Sequence, residues 1–151
     1  MANQVEERLT QPLFDYLQKE RLVTISTIDH HSGGPNVNAI SWIYALNHNE
    51  IIFAVNSRSK IIENIRNNAN LVITIIYNES VYSISGKGFI QKEQLDKVPL
   101  KLAAVKFTIE EVRDIMFYGA QITILPKYEK TYDSLAAEKL DNQVMEAMKK
   151  A

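Results

Sequence analysis

The chain has 151 residues and a mass of 17.2 kDa, the size of one ordinary domain, so a single domain over residues 1–151 is expected. Seventeen Lys and Arg stand against eighteen Asp and Glu, and the net charge of −1 excludes binding of nucleic acid or an anionic membrane by bulk charge. The absence of cysteine excludes disulfides, thiolate metal sites and cysteine nucleophiles.

The N-terminus, Met1 to Arg8, is polar and acidic and lacks the apolar stretch of a signal peptide. No apolar run approaches the ~18–20 residues of a membrane span. A cytoplasmic location and no membrane partner are the resulting expectations. Residues 4–20 read as helix, with Val5, Leu9, Leu13, Phe14 and Leu17 on one stripe, and Pro12 predicts a break or two short helices. From Leu22 the period changes to two, and β-branched residues predict a strand over 22–28. His30 to Pro35 is a turn. A second strand is predicted over 36–46, with Val37, Ala39, Ser41, Ile43 and Ala45 on one face and Ile40, Trp42 and Tyr44 among those on the other. Asn47-His48-Asn49 leads into a third strand over 51–55.

A compact amphipathic helix follows over about 59–67, with Ile61, Ile62 and Ile65 inward. The fourth strand is predicted over 71–77 and the fifth over 81–91. Gly86 and Gly88, two apart in that fifth strand, signal a bend, a bulge or a ligand close to the backbone. A sixth strand is predicted over 102–112 and a seventh over 121–125, before Pro126 breaks the chain. From about Thr131 a final helix carries a stripe of Leu140, Val144 and Met148, suited to packing on the barrel or a partner. Six to seven short, mostly antiparallel strands with one brief helix among them predict a mainly β fold, a β-barrel with flanking helices. The helix between the third and fourth strands is too short for a typical βαβ crossover.

The most informative stretch runs from Phe53 to Ile65. A strand ends and a helix starts within a few residues that include Ser57, Arg58, Ser59 and Lys60, and either serine can serve as N-cap. Residues 56–68 hold Arg58, Lys60 and Arg66 against Glu63 alone, a local excess of +2. Cations at a helix N-terminus are mildly unfavourable, whereas a bound anion makes serine hydroxyls, free N–H groups and two cations a phosphate cradle. The alternative is that both cations simply point into water.

The order of these features resembles the pyridoxamine 5′-phosphate oxidase-like family of FMN-binding split β-barrels. The marks are the strand Leu22 to Thr27, the Gly34-Pro35 turn, Ser41-Trp42 and Phe53-Ala54-Val55. They continue with the helix start Ser57-Arg58-Ser59-Lys60-Ile61-Ile62-Glu63-Asn64-Ile65, and with Ser85-Gly86-Lys87-Gly88. The resemblance implies a split barrel that binds FMN as a homodimer with the flavin at the subunit interface. It implies that Lys60 holds the phosphate with Ser57, Arg58 and Ser59 as neighbours, that Trp42 and Ile43 lie beside the ring or ribityl chain, and that Ala54, Val55 and Asn56 pass under the flavin. The activity implied is that of a flavin-dependent oxidoreductase using NAD(P)H or a small-molecule substrate. The family's oxidases carry Ser-Arg-Lys where this chain has Arg58-Ser59-Lys60, and they end in a basic, tryptophan-containing segment. The tail here, Asp141 to Lys150, has neither Trp nor Arg, which points away from pyridoxamine phosphate as the substrate.

No catalytic acid–base residue stands out. Trp42, the single tryptophan, also suits a core or interface position, and Phe117 and Tyr118 suit core packing or a cover over the flavin. His30, His31 and His48 lie in loops without acidic ligands at metal spacing, so no metal site is expected. Barrels of this kind also hold heme or the deazaflavin F420, and a non-catalytic flavin-binding or sensing module is the rival to the enzyme. Heme would most simply want an axial histidine, and only loop histidines are available.

Overall fold

The computed structural model describes residues 5–151, and the change of period at Leu22 coincides with a structural boundary in it. Before it lie a two-residue strand, β1 (Val5–Glu6), and one short helix, α1 (Gln11–Tyr16). These replace the helix expected over 4–20, whose first residue, Gln4, lies outside the described residues. Pro12 sits at the start of α1, where its missing N–H leaves no intrahelical bond unmade, and so fixes where the helix begins. Leu9, Leu13 and Leu17 are all buried, so the stripe is a core stripe although only its middle is helical.

The remaining elements are β2 (Val23–Ile28), β3 (Pro35–Ile40), β4 (Ile43–Ala45), β5 (Glu50–Asn56), α2 (Lys60–Asn67), β6 (Asn70–Tyr77), β7 (Ser80–Lys92), β8 (Leu102–Asp114) and α3 (Ser134–Lys150). The strands form one antiparallel sheet in the order β3-β2-β6-β7-β8-β5-β4, with β1 added on β8. The first and last strands of that path are joined in the chain by Ser41 and Trp42 alone. A sheet whose two ends are two residues apart has to curl round on itself, which makes the fold a split barrel with its seam at Ser41-Trp42.

The single strand expected over 36–46 is therefore two strands. β3 pairs with β2 while β4 pairs with β5, so the ladder breaks where the chain passes from one edge to the other. At the break Ser41 O accepts from Arg21 N and Ile43 N, and Trp42 O accepts from Ala54 N at 3.0 Å. The face assignment fails with the strand: Val37 and Ala39 are exposed, whereas Ile43 and Ala45 are completely buried.

β7 and β8 run thirteen residues each and bend to follow the barrel. The register shifts between Ser85 and Gly86, where a Cβ on Gly86 would stand 2.0 Å from Thr108 O. Of the readings of this glycine pair, the structure displays the bulge. The strand expected over 121–125 does not form, and Ile124 is 81% exposed. No strand of the sheet pairs with this segment, and its neighbours in the chain are already flanked on both sides, β7 by β6 and β8, and β8 by β7 with β5 and β1.

Two apolar layers result. Ile25, Ile43, Phe53, Ile73, Ile84 and Phe107 fill the barrel with the leucines around α1 and the isoleucines of α2. On the outer face of β5 and β8, Ile52, Ala54 and Ala104 meet Val144, Met145 and Met148 of α3. Burial on both faces explains why β5 is a continuous apolar run, each large side chain contributing about 1.5–3 kcal/mol. Among the described residues no helix is long and apolar enough to cross a membrane.

Candidate functional site

The β5–α2 connection is built by its own side chains. Asn56 Oδ1 accepts from Arg58 N at 2.8 Å, Asn56 O accepts from Ser59 N, and Ser57 N donates to Lys101 O. Ser59 adopts an extended backbone and accepts from Ile61 N at 3.0 Å, so Ser59 rather than Ser57 is the N-cap. Its hydroxyl oxygen serves the helix start, and the Ser57 side chain is only partly covered.

The cations of this segment have unequal surroundings. Lys60 Nζ lies 2.6 Å from Asp29 Oδ1, on a carboxylate only 6% exposed at the end of β2. Asp29 Oδ2 also accepts from His31 N at 2.9 Å and Ser32 N at 2.8 Å. The hydrogen bond from Lys60, then that from Ser32, outweigh burial and hold the Asp29 carboxyl well below the usual carboxylate range. The same pair raises the Lys60 ammonium above its ordinary value. Arg66 pairs with Glu93. Among the described residues, Arg58 is the cation of this segment without an ion pair. Sequence reasoning missed Asp29, whose position at the end of an alternating strand carries no motif.

Asn64, fully buried on α2, fixes the helix to the barrel. Its Nδ2 donates to Thr27 Oγ1 and Asn36 Oδ1, and its Oδ1 accepts from His30 N.

A cavity of about 350 Å³ opens at the seam, with Asn38, Ile40, Trp42, Ala54, Asn56 and Ser59 among its lining. Trp42, Ala54, Val55, Asn56 and Ser59 of the expected site residues meet in its wall. Ser57 and Arg58, in the adjoining β5–α2 connection, and Lys60, the first residue of α2, do not belong to the wall. Ile43 is buried in the barrel core instead, because the chain has already turned into β4.

Trp42 is also tied to the far end of the chain, which the sequence did not signal. Its Nε1–H donates to Asp141 Oδ1 of α3 at 2.9 Å. Lys130 stands 2.9 Å from the same oxygen, 2.7 Å from Glu20 Oε2 and 5.9 Å from the Trp42 ring centre. Ser41 Oγ donates to Glu20 at 2.5 Å. Burial works to lower the Lys130 ammonium, but the hydrogen bonds with Glu20 and Asp141 outweigh it and raise the group. A larger groove of about 590 Å³ adjoins this cluster. Its half-buried charges already satisfy one another, so the smaller, more apolar cavity at the seam is the better place for a flat aromatic ligand.

A family model described as Pyridoxamine 5′-phosphate oxidase matches residues 9–116, a span that ends just after β8 and leaves α3 outside. No curated protein matches the sequence significantly. Among solved structures, a candidate pyridoxamine 5′-phosphate oxidase from Lactobacillus delbrueckii superposes with a TM-score of 0.62 at 18% identity, covering 74% of this chain and 98% of that one. HupZ of Group A Streptococcus gives a TM-score of 0.61 at 19% identity over 75% and 98% of the two chains. HutZ, the heme storage protein of Vibrio cholerae, gives 0.53 at 13% identity over 71% and 95%. At these identities the likeness establishes the fold alone.

Proposed function

The chain belongs to the pyridoxamine 5′-phosphate oxidase family, and from that premise we propose that it binds FMN and acts as a flavin-dependent oxidoreductase, working as a homodimer. The cavity at the seam carries this reading, because the segments that the resemblance assigns to a flavin converge there. FMN has two unlike ends, a flat apolar ring and a phosphate dianion, and the residues present suit both. Ile40, Trp42, Ala54 and Val55 offer an apolar wall for the ring. The β5–α2 connection offers Arg58, the Ser57 hydroxyl and the positive end of α2 for the phosphate. An ammonium has three donors, so Lys60 can meet the phosphate while one donor stays on Asp29.

Bound FMN supplies the hydride and electron chemistry. This chain's share is to grip the phosphate, seat the ring against Trp42 and the end of β5, and leave a ring face open to NAD(P)H or a small-molecule substrate. Pyridoxamine phosphate is a poor candidate for that substrate. The arginine is displaced by one position from the oxidases' triplet, and α3 carries no Trp or Arg.

The name of HutZ and that of a further neighbour, an F420 reductase with a TM-score of 0.51, favour a second reading in which the same fold holds heme or F420. No histidine lines the seam cavity to serve as an axial ligand, which favours FMN over heme. The test is the visible spectrum of the purified protein, followed by titration with FMN and with riboflavin. FMN should bind tighter than riboflavin, and Arg58→Ala and Lys60→Ala should each weaken FMN about tenfold or more while leaving riboflavin unchanged. A protein that neither carries flavin nor takes up added FMN overturns the proposal, and a Soret band or a deazaflavin spectrum would favour the second reading.

A further inference from the structure

His30 and His31 are neighbours in sequence, and in a strand their side chains would diverge. In the structure they occupy the β2–β3 turn, where Asp29 Oδ2 takes the N–H groups of His31 and Ser32 and bends the chain. The two rings then sit side by side, with centroids 4.7 Å apart and planes at 49°. Glu63, one turn into α2, comes up against them: its Oε1 lies 3.6 Å from His31 Nε2. One ligand atom from each of His30, His31 and Glu63 falls within 4.8 Å of the others.

We propose that His30, His31 and Glu63 form a binding site for a zinc-like divalent cation that clamps the β2–β3 turn to α2. Two imidazoles and a carboxylate are a donor set that zinc accepts, with water completing the tetrahedron. Metal–ligand distances of about 2.0–2.1 Å set ligand atoms roughly 3.3 Å apart, so His31 and Glu63 are nearly in place and the set has to close by at most about 1.5 Å. All three side chains are exposed and can make that movement. Their backbones, in contrast, are locked together: His30 N donates to Asn64 Oδ1 at 3.0 Å, and Asn64 directly follows Glu63. The ordering that a chelate ordinarily requires is therefore largely present before the ion arrives.

The surrounding charge favours a cation. Lys60, which also attracts Glu63, is matched by Asp29 at 2.6 Å and so offsets the Glu63 carboxylate only in part. Arg66, one turn further along α2, is engaged with Glu93. This site shares no residue with the wall of the seam cavity and does not depend on a flavin being there.

The test is calorimetric titration of zinc chloride into full-length protein carrying no polyhistidine tag. One ion per chain should bind, and His31→Ala and Glu63→Gln should each weaken binding by about tenfold or more. His48→Ala should have no effect, since His48 is stacked on Phe14 away from the cluster. The substituted side chains are exposed, and the far-ultraviolet circular dichroism of each variant should match that of the parent. Absence of saturable binding overturns the proposal, as does binding that both variants retain at the parent's affinity.

Discussion

Asp29 carries five contacts: Lys60 on Oδ1, the N–H groups of His31 and Ser32 on Oδ2, its own N–H donating to Gly34 O, and its own carbonyl accepting from Gly33 N. Its carboxyl is held below the ordinary range, so it contributes stability that is fully present above the unfolded value of about 3.9 and is lost as pH falls below it towards the native value. Asp29→Asn should therefore be less stable than the parent at neutral pH, and the gap should narrow as the pH is taken below about 4. Urea denaturation midpoints of the two proteins across that range measure this, and a gap independent of pH would refute it. The same residue shows why the site was only partly legible. The segment from Phe53 to Ile65 could be read because cap, cations and inward isoleucines are contiguous and each has a local rule. Asp29 acts on Lys60 across the fold, and so does Asp141 on Trp42, and no spacing in the chain announces either pairing. Asn64 was visible as part of a motif, but its role in joining α2 to β2 and β3 required the burial.

At the scale of elements, strands were legible where one alternating run pairs along its whole length with its neighbours, and failed where it does not. β2, β5, β6, β7 and β8 fall within a residue or two of their expected spans because each is flanked by neighbours in the sheet. The alternation over 36–46 is equally good, yet it is cut at Ser41-Trp42 because its two halves serve opposite ends of the sheet. The segment 115–133 pairs with no strand and is instead held by Ile115 N and Ile122 N, which donate to Val81 O and Glu79 O, and by Lys130, which bridges Glu20 and Asp141. Lys130→Met removes the one cation between two half-buried carboxylates and should destabilise the protein by about 1–3 kcal/mol. Because Asp141 also accepts from Trp42 Nε1–H, the change reaches the wall of the seam cavity. Trp42 is the only tryptophan, so its emission reports the site directly and should shift in the variant. An unchanged emission spectrum and midpoint would mean that the cluster does not hold Trp42.

For the molecule as a whole, the distribution of exposed apolar side chains bears on the proposed homodimer. Seven of the fourteen exposed large hydrophobic side chains among the described residues fall between Phe117 and Leu135, with Tyr118 96% and Ile124 81% exposed. Single exposed apolar residues are ordinary, but seven on one segment are the surface we propose the second subunit covers. A net charge of −1 gives two copies little reason to repel each other. The cavity at the seam points the same way, since β3 on its rim is exposed at Val37, Asn38 and Ala39, and one barrel walls the site only in part. The chain should therefore sediment as a dimer, and the double variant Tyr118→Asp, Ile124→Asp should shift it to monomer without loss of secondary structure. If the second subunit completes the cavity, that variant should also bind FMN at least about tenfold more weakly, the equivalent of 1.4 kcal/mol. A monomeric parent protein that binds FMN as tightly as the double variant would show that one barrel suffices and that the 117–135 surface serves some other contact.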